Sequence, residues 1–460
     1  SKTNTLIGTQ GNGWASGYLY PGATYPFGMV QFTPTYFTKQ LGFVINQLSG
    51  AGCDHMGNFP TLPIAGALRV SPDSILNMQT PVGKEIGTAG YYAATVDHSI
   101  RAELTVTERT GMARYTFSSK EKQGTVIIGG GVAATSIQVA AIKITGPHSC
   151  EGYAEGGAFC GIPTPYKVYF VAEFDADAES FGTWKEERLH ANHTFAEGNH
   201  SGVYFTFPLK EGNQAVQYKI GVSYVSVENA RENLRVENPA WDFSAVRQAT
   251  QDKWNEYLGK IEVEGDNEDR QMQFYTHLYR SLIHPNVCSD VNGEYMGADS
   301  QVHKTARKFY TSFSNWDTYR TQTALIAMLA PEETSDIVMS HYLFAEQSGG
   351  GFPRWVLANI ETGVMQGDPT PILVANAYAF GARNYDPRTL LRTMRYGAEV
   401  PGANSQGVLT RPGLEQYLEK GYYDASILLE YTSSDFAIGR FALQACNDEP
   451  VCNWYTQRAM

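Results

Sequence analysis

The sequence reads F-S-N-W-D-T-Y-R over residues 313–320, G-G-G-F-P-R-W over 349–355 and N-I-E-T-G-V-M-Q-G-D-P over 359–369. These segments fall between stretches with helical spacing, and they concentrate carboxylates, indoles and guanidinium groups. The C–H faces of a sugar stack on indole rings, while its hydroxyl groups pair with charged donors and acceptors. The pattern therefore predicts a carbohydrate site on the loops of a helical domain. Its candidate residues are Trp316, Asp317, Arg320, Trp355, Glu361 and Asp368.

The periodicity of the chain changes near Asn238-Pro239. Before this point, runs rich in Val, Ile, Tyr, Phe and Thr, the last of them at 216–227, predict an antiparallel β-sandwich over residues 1–239. Residues 240–265 predict a linker helix, and residues 266–460 carry amphipathic stretches joined by long loops, which indicates an α/α toroid. Its helices are predicted near residues 272–282, 317–329, 335–347, 370–381, 387–397 and 425–445. A half-closed toroid exposes apolar helix faces to water, so we expect an incomplete barrel belonging to a longer protein.

The bulk properties exclude two broad classes of partner. The chain has 460 residues, a net charge of −12 and a pI of about 5.4, and no basic cluster occurs in it. A protein that binds nucleic acid needs such a cluster, so nucleic acid is not an expected partner. The longest apolar runs fall far short of the roughly 20 residues that a membrane helix needs, so no membrane span is expected.

Six cysteines bear on the compartment of the protein. Cys150 and Cys160 are close in sequence, as are Cys446 and Cys452, and neither pair has the spacing of a zinc site. We predict that both pairs form disulfides within loops, which would indicate an exported protein. The alternative is that these cysteines are buried free thiols in a cytosolic chain.

Motifs along the chain resemble those of glycoside hydrolase family 92. The first are W-D-T-Y-R at Trp316 and E-T-G-V-M-Q-G-D-P at Glu361. Others occur in the same order as in that family: I-G-T at 7–9, Y-P-G-A-T-Y-P-F-G-M-V-Q at 20–31, L-S-G-A-G-C at 48–53, L-E-Q-Y-L-E-K-G-Y at 414–422 and L-L-E-Y-T-S-S-D-F-A-I at 428–438.

The resemblance implies a bacterial, calcium-dependent, exo-acting α-mannosidase built from a β-sandwich and an (α/α)6 barrel. It also implies inversion at the anomeric carbon, with a general acid and a general base about 6.5–9.5 Å apart. The family's acid and base motifs do not occur in residues 1–460, so both groups, and the Ca²⁺ ligands, are expected beyond Met460. Expected substrates are terminal mannose residues of N-glycans or mannans, and the expected location is secreted, periplasmic or on the cell surface.

The resemblance assigns each candidate residue a role, and each role has an ordinary structural alternative. Asp317 is expected to bind mannose hydroxyls, but an Asp at a helix start also serves the helix dipole. Trp316 and Trp355 are either stacking surfaces or core aromatics. Trp14, in G-N-G-W, is a candidate for the leaving-group subsite. For Arg320, Glu361 and Asp368, contact with substrate and support of the fold both remain open.

Two other functions stay open on the same sequence. One is a mannose-1-phosphodiester hydrolase, whose better leaving group needs no general acid. The other is a mannose-binding protein without catalytic activity.

Overall fold

The computed structural model describes residues 2–9, 18–34, 42–73, 82–96, 99–211 and 214–460. The chain forms two compact units, one of Ser1–Asn286 with Asp290–Asn292 and one of Val287–Ser289 with Gly293–Met460. The first unit is rich in sheet and the second is mainly helical. This order confirms the coarse prediction of a β domain followed by an α domain.

The first unit contains two sheets in which the described strands pair antiparallel. Their strands are β1 Ala23–Thr24, β2 Gln31–Pro34, β3 Phe43–Val44, β4 Thr61–Ala65, β5 Val82–Thr88, β6 Tyr91–Val96, β7 Ile100–Val106, β8 Thr110–Thr116, β9 Gln123–Gly129, β10 Ile137–Gly146, β11 Ser149–Phe159, β12 Ile162–Phe174, β13 Ser180–Lys185, β14 Arg188–Ala191, β15 Phe195–Glu197, β16 Ser201–Pro208 and β17 Ala215–Ser223. One sheet has the order β1-β2-β3-β4-β9-β16-β13-β14, and the other has the order β15-β10-β11-β12-β17-β8-β7-β6-β5.

Aromatic side chains fill the space between these two sheets. The ring of Phe174 on β12 lies 5.0 Å from that of Phe205 and 4.9 Å from that of Phe207, both on β16 of the other sheet. Phe59 and Phe170 make a similar contact at 4.3 Å. Because large aromatic groups bury the most apolar surface, this layer supplies much of the stability of the unit.

The described residues after β17 in the first unit form the helices α1 Val227–Glu237, α2 Phe243–Leu258 and α3 Glu268–Ser281. The strand predicted over 216–227 was wrong at its end, because Ser226 accepts a hydrogen bond from the N–H of Asn229 and starts α1 there. Asn238 ends α1, and Asp242, whose side chain accepts from the N–H of Ala245, starts α2.

The second unit holds most of the described helices. They are α4 Asn315–Thr318, α5 Gln322–Leu329, α6 Pro331–Glu346, α7 Thr370–Ala379, α8 Pro387–Glu399, α9 Leu414–Lys420, α10 Ala425–Cys446 and α11 Glu449–Arg458. Short strands lie between them: β19 Glu294–Met296, β20 Val302–Lys304, β21 Tyr310–Thr311, β22 Phe313–Ser314, β23 Trp355–Leu357, β24 Ile360–Glu361, β25 Asn404–Ser405 and β26 Val408–Leu409; β18 spans Asn286–Val287. The helix predicted over 317–329 is divided into α4 and α5, and the one predicted from 335 begins at Pro331, which occupies the first helical turn.

The core of the second unit is built from the facing sides of α6, α7, α8 and α10. Val338, Val374, Leu390, Ile438 and Phe441 form part of one buried cluster there. They come from four helices, with Ile438 and Phe441 one turn apart on α10, so helical spacing brings them to one core.

Both predicted disulfides are wrong. The structure joins Cys53 to Cys160, while Cys150, Cys446 and Cys452 are buried free thiols. Cys150 is the second residue of the long strand β11, and Cys160 follows its end. Ten extended residues span about 33 Å, which no disulfide can bridge. Cys446 packs in the helical core, and the sulfur of Cys452 lies 3.9 Å from the Thr456 hydroxyl.

Candidate functional site

A buried amide holds the segment that carries Trp316 and Asp317. The side chain of Asn315 donates to the carbonyl of Pro353 at 3.1 Å and to the Thr370 hydroxyl at 2.9 Å. Its oxygen is 3.0 Å from Nε2 of His341, whose ring stacks on Phe313 at 3.7 Å. Since these groups are buried, they fix the start of α4, on which Trp316 is half-buried and Asp317 is exposed.

Short strands place the three motif segments side by side. In the sheet β22-β23-β24, Ser314 lies opposite Trp355, and Val356 lies opposite Glu361. One short sheet therefore joins a part of each of the segments 313–320, 349–355 and 359–369.

Trp316 and Arg320 contact each other and a third residue, Glu430 on α10. The indole N–H of Trp316 donates to Oε1 of Glu430 at 3.0 Å. The guanidinium carbon of Arg320 lies 4.6 Å from the indole centroid, and its Nη2 is 3.7 Å from the same Glu430 oxygen. Arg320 therefore covers one face of the indole, in a cation–π contact.

Asp317 is exposed, and Trp355 is buried. The carboxylate of Asp317 accepts a hydrogen bond from the Ser314 hydroxyl at 2.6 Å. A carboxylate oriented by one hydroxyl and open to solvent has acceptor capacity left for the hydroxyls of a ligand. Trp355 is 4% exposed, which fits the core-aromatic reading of that residue.

Glu361 and Arg354 organise the loop between β24 and α7. The carboxylate of Glu361 accepts the backbone N–H groups of Arg354 at 2.6 Å, Trp355 at 3.1 Å and Gly363 at 2.9 Å. Burial raises the pKa of Glu361, although these N–H groups oppose the shift. The guanidinium of Arg354 donates to the carbonyls of Gly367 and Leu409, each at 3.0 Å. Both side chains thus satisfy backbone groups of the loop.

Asp368 belongs to a buried ionic network. Nε of Arg411 is 2.8 Å from its carboxylate, and Nη1 of Arg411 is 2.7 Å from Asp435. Arg458 also pairs with Asp435, so two carboxylates balance two guanidinium groups. Burial raises the pKa of Asp368, with Arg411 opposing it; burial also acts on Asp435, but Arg411 and Arg458 outweigh it and hold its pKa low.

The predicted residues therefore separate into two groups. Trp316, Asp317 and Arg320 present at least part of their surface to solvent, whereas Trp355, Glu361 and Asp368 are buried within the loops and helices. Trp14 lies outside the described residues. Whether any of these residues contacts a substrate stays a prediction.

Sequence reasoning missed Glu430, Asn315 and Arg411. Glu430 stands in the L-L-E-Y motif, but 114 residues separate it from Trp316, and no short-range pattern connects them. Asn315 lies inside the first motif segment, but an amide carries no charge or aromatic ring to mark it as a candidate, and Arg411 lies outside the three segments.

The distribution of metal-binding side chains bears on the calcium that the resemblance implies. Calcium takes six to eight oxygen ligands. In the parts of the chain that the structure describes, no group of three or more His, Cys, Asp and Glu side chains converges closely enough to hold a metal ion.

Comparison with known protein families identifies the family of this chain. The glycosyl hydrolase family 92 N-terminal domain matches residues 3–223, and the glycosyl hydrolase family 92 catalytic domain matches residues 229–460. This chain belongs to glycosyl hydrolase family 92. The resemblance found in the motifs is confirmed.

Individual relatives agree with this family. An uncharacterized secreted glycosidase of Arthroderma benhamiae is 27% identical over 363 residues, which cover 69% of this chain and 44% of the relative. Two solved structures from Bacteroides thetaiotaomicron match this chain over 100% of its length and over 64% of their own length. One is a family 92 α-mannosidase, with a TM-score of 0.89 and 24% sequence identity. The other is a family 92 inverting mannosidase, with a TM-score of 0.88 and 25% sequence identity. The chain thus spans less than two thirds of the length of these relatives.

None of the helices in the described ranges combines the length and the apolar character that a bilayer crossing requires.

Proposed function

We propose that this chain is the N-terminal part of an exo-acting, inverting α-mannosidase that releases terminal mannose from N-glycans or mannans with the help of Ca²⁺. The observation that carries the proposal is the match of both family 92 domains, in order, along the whole chain. Of the similar structures, one is named an α-mannosidase and another an inverting mannosidase, and the first is also known in complex with mannoimidazole.

The start of α4 is the proposed mannose-binding element. Asp317 accepts hydrogen bonds from sugar hydroxyls through its exposed carboxylate, and charge-assisted bonds of this kind are short and strong. The indole of Trp316 offers carbon surface to the C–H groups of the ring. Asn315 fixes the position of the backbone that carries both residues, because its side-chain amide makes three hydrogen bonds.

The chemistry of inversion needs an acid on the leaving oxygen and a base on the attacking water. In this proposal both groups, and the Ca²⁺ ligands, lie beyond Met460. Glu361 is not assigned as the acid, because its two oxygens already bind three backbone N–H groups.

The helical unit is proposed to be the first part of an (α/α)6 barrel. Its longest helix, α10, exposes 70% of Leu429 and 53% of Phe436, which lie on one side of the helix two turns apart. Apolar residues spaced in this way support a helix that packs against further elements.

The protein is proposed to be exported, to the exterior, periplasm or surface of a bacterial cell. Two observations support this location. The chain carries the disulfide Cys53–Cys160, and disulfides persist in oxidising compartments. The fungal relative is named a secreted glycosidase.

Assays on the full-length protein test the proposal. Release of mannose is measured from an aryl α-mannoside and from α-1,2, α-1,3 and α-1,6 mannobioses, with and without a calcium chelator, and the first anomer released is identified by NMR. We expect release of β-mannose that stops on chelation and returns with Ca²⁺. Cleavage of mannose-1-phosphodiesters alone, or binding of mannose without turnover, would overturn the proposal.

A further inference from the structure

One carboxylate oxygen serves both Trp316 and Arg320. Oε1 of Glu430 accepts the indole N–H at 3.0 Å and lies 3.7 Å from Nη2 of Arg320, whose guanidinium covers the indole at 4.6 Å. The three groups thus form a closed triangle of hydrogen bond, ion pair and cation–π contact. Because Glu430 comes from α10, the triangle ties this helix to the start of α4.

The side chain of Glu430 occupies the space beside Gly367 where a side chain at that position would lie. A Cβ placed on Gly367 would come within 2.6 Å of the Glu430 Cβ, 3.0 Å of its Cγ and 3.3 Å of its Oε2. Gly367 also has a φ of +75°, a backbone conformation that residues with a side chain rarely adopt. Oε2 is buried, and it has no hydrogen-bond partner in the described part of the chain. The side chain of Glu430 is therefore confined by packing on one oxygen and by bonding on the other.

This arrangement determines which surface of the indole a ligand can reach. The N–H is already used by Glu430, so Trp316 can offer only its carbon surface. Arg320 covers one face, so that carbon surface is limited to the part that the guanidinium leaves open. The ion pair itself is weak, because the Arg320 side chain is 46% exposed; the hydrogen bond to the indole and the packing on Gly367 hold the geometry.

We propose that Glu430 is a positioning residue for sugar binding: it fixes the orientation of Trp316, and through Arg320 the open side of the indole, beside the carboxylate of Asp317. The inference rests on the proposed function, since it assigns to that site a residue that contacts Trp316 and Arg320 and acts through them.

The test compares three variants of the full-length protein. Glu430→Gln keeps the shape and the acceptor oxygen, Glu430→Ala removes both, and Glu419→Ala changes an exposed glutamate on α9 as a control. We measure kcat and KM on an aryl α-mannoside and the tryptophan emission of each protein. Glu430→Ala is expected to raise KM about tenfold with a smaller change in kcat, because a hydrogen bond to a charged group is lost at the binding surface. Glu430→Gln should recover most of this loss.

A second pair of variants separates positioning from general support of the fold. In a Trp316→Phe background, the change Glu430→Ala should no longer raise KM or alter the emission, because its effect runs through the indole. An equal rise of KM with and without Trp316, or an unchanged emission spectrum in Glu430→Ala, would overturn the inference. If the wild-type protein cleaves no mannoside, the proposed function fails. The emission measurement then decides the role of Glu430 alone, and an unchanged spectrum still rejects it.

Discussion

The carboxylate of Asp317 is the one predicted acid that stands exposed on the motif segments. Its replacement by alanine should lower kcat/KM of the full-length protein on aryl α-mannoside by orders of magnitude, because a charged acceptor for the sugar hydroxyls is removed. Unfolding in urea should shift by no more than about 0.5 kcal/mol, as at other surface sites. Glu419→Ala is the matched control and should retain full activity. Near-normal kinetics for Asp317→Ala would remove this residue from the site.

Arg411 illustrates a different kind of residue, one that is needed for stability. Its guanidinium lies between the carboxylates of Asp368 and Asp435, and its side chain has no exposed surface. Replacement by Met leaves buried negative charge without its partner, so we expect a loss of about 3–5 kcal/mol in the free energy of unfolding.

The urea midpoint of the chain measures this loss. Arg235→Met is the control, since Arg235 is 74% exposed and 4.0 Å from its Glu232 partner, and exposed pairs contribute about 0–1 kcal/mol. A loss below about 1 kcal/mol for Arg411→Met would show that the network is not held together by charge.

Trp316 and Asp317 could be predicted as candidate residues from the sequence, because an indole and a carboxylate stand together in one short motif. The role of Glu430 was not visible. A hydrogen bond across 114 residues depends on how α10 packs, and packing is a property of the folded chain. Likewise, the sequence left Glu361 open between substrate contact and support of the fold, and the structure shows that its carboxylate accepts three backbone N–H groups.

At the level of the elements, strand β11 keeps Cys150 and Cys160 apart in space, although they are close in sequence. The unfolded, unreduced chain should therefore show four reactive thiols, and six after reduction, because only Cys53 and Cys160 are joined. Thiol titration in denaturant measures both numbers, and peptide mapping identifies the joined pair. Two thiols before reduction would support the two disulfides that the sequence suggested.

Reduction of this disulfide should also destabilise the first unit. The two cysteines are 107 residues apart, and closing a long loop restricts the unfolded chain. We expect a loss of roughly 2–5 kcal/mol. Cys150→Ser is unsuitable as a control because the thiol is buried, so the comparison is between oxidised and reduced wild-type protein.

The spacing of apolar residues predicted whether most long elements are helices or strands, because the buried face of each element repeats with its own period along the sequence. It failed where a single capping residue decides. Ser226 caps α1 just after the apolar run of β17, and no Gly or Pro marks the break between α4 and α5.

For the whole molecule, three buried histidines predict a loss of stability in acid. Burial lowers the pKa of His55, His284 and His341 to about 4, from 6.5. Nε2 of His55 accepts the N–H of Leu48 at 2.7 Å, and Nε2 of His284 accepts that of Ser49 at 2.9 Å, so both rings must be neutral at that nitrogen.

The sign follows from the depressed folded pKa. Between pH 6.5 and 4 the unfolded chain binds protons that the folded chain refuses, so the free energy of unfolding falls as the pH falls. The full effect is about 3 kcal/mol for each histidine. Urea midpoints from pH 7 to pH 4 measure it, and His55→Gln should flatten the curve while His193→Gln, at an exposed turn, should not. A midpoint that does not change with pH would contradict the prediction.

The buried amide of Asn315 has a consequence for protein engineering. Its side chain bonds the backbone carbonyl of Pro353, the hydroxyl of Thr370 and the ring of His341, so the two positions that follow it can be varied while these hydrogen bonds are kept. A combinatorial library at Trp316 and Asp317 would then test, on an unchanged frame, whether the proposed sugar preference can be altered by substitutions at only two positions.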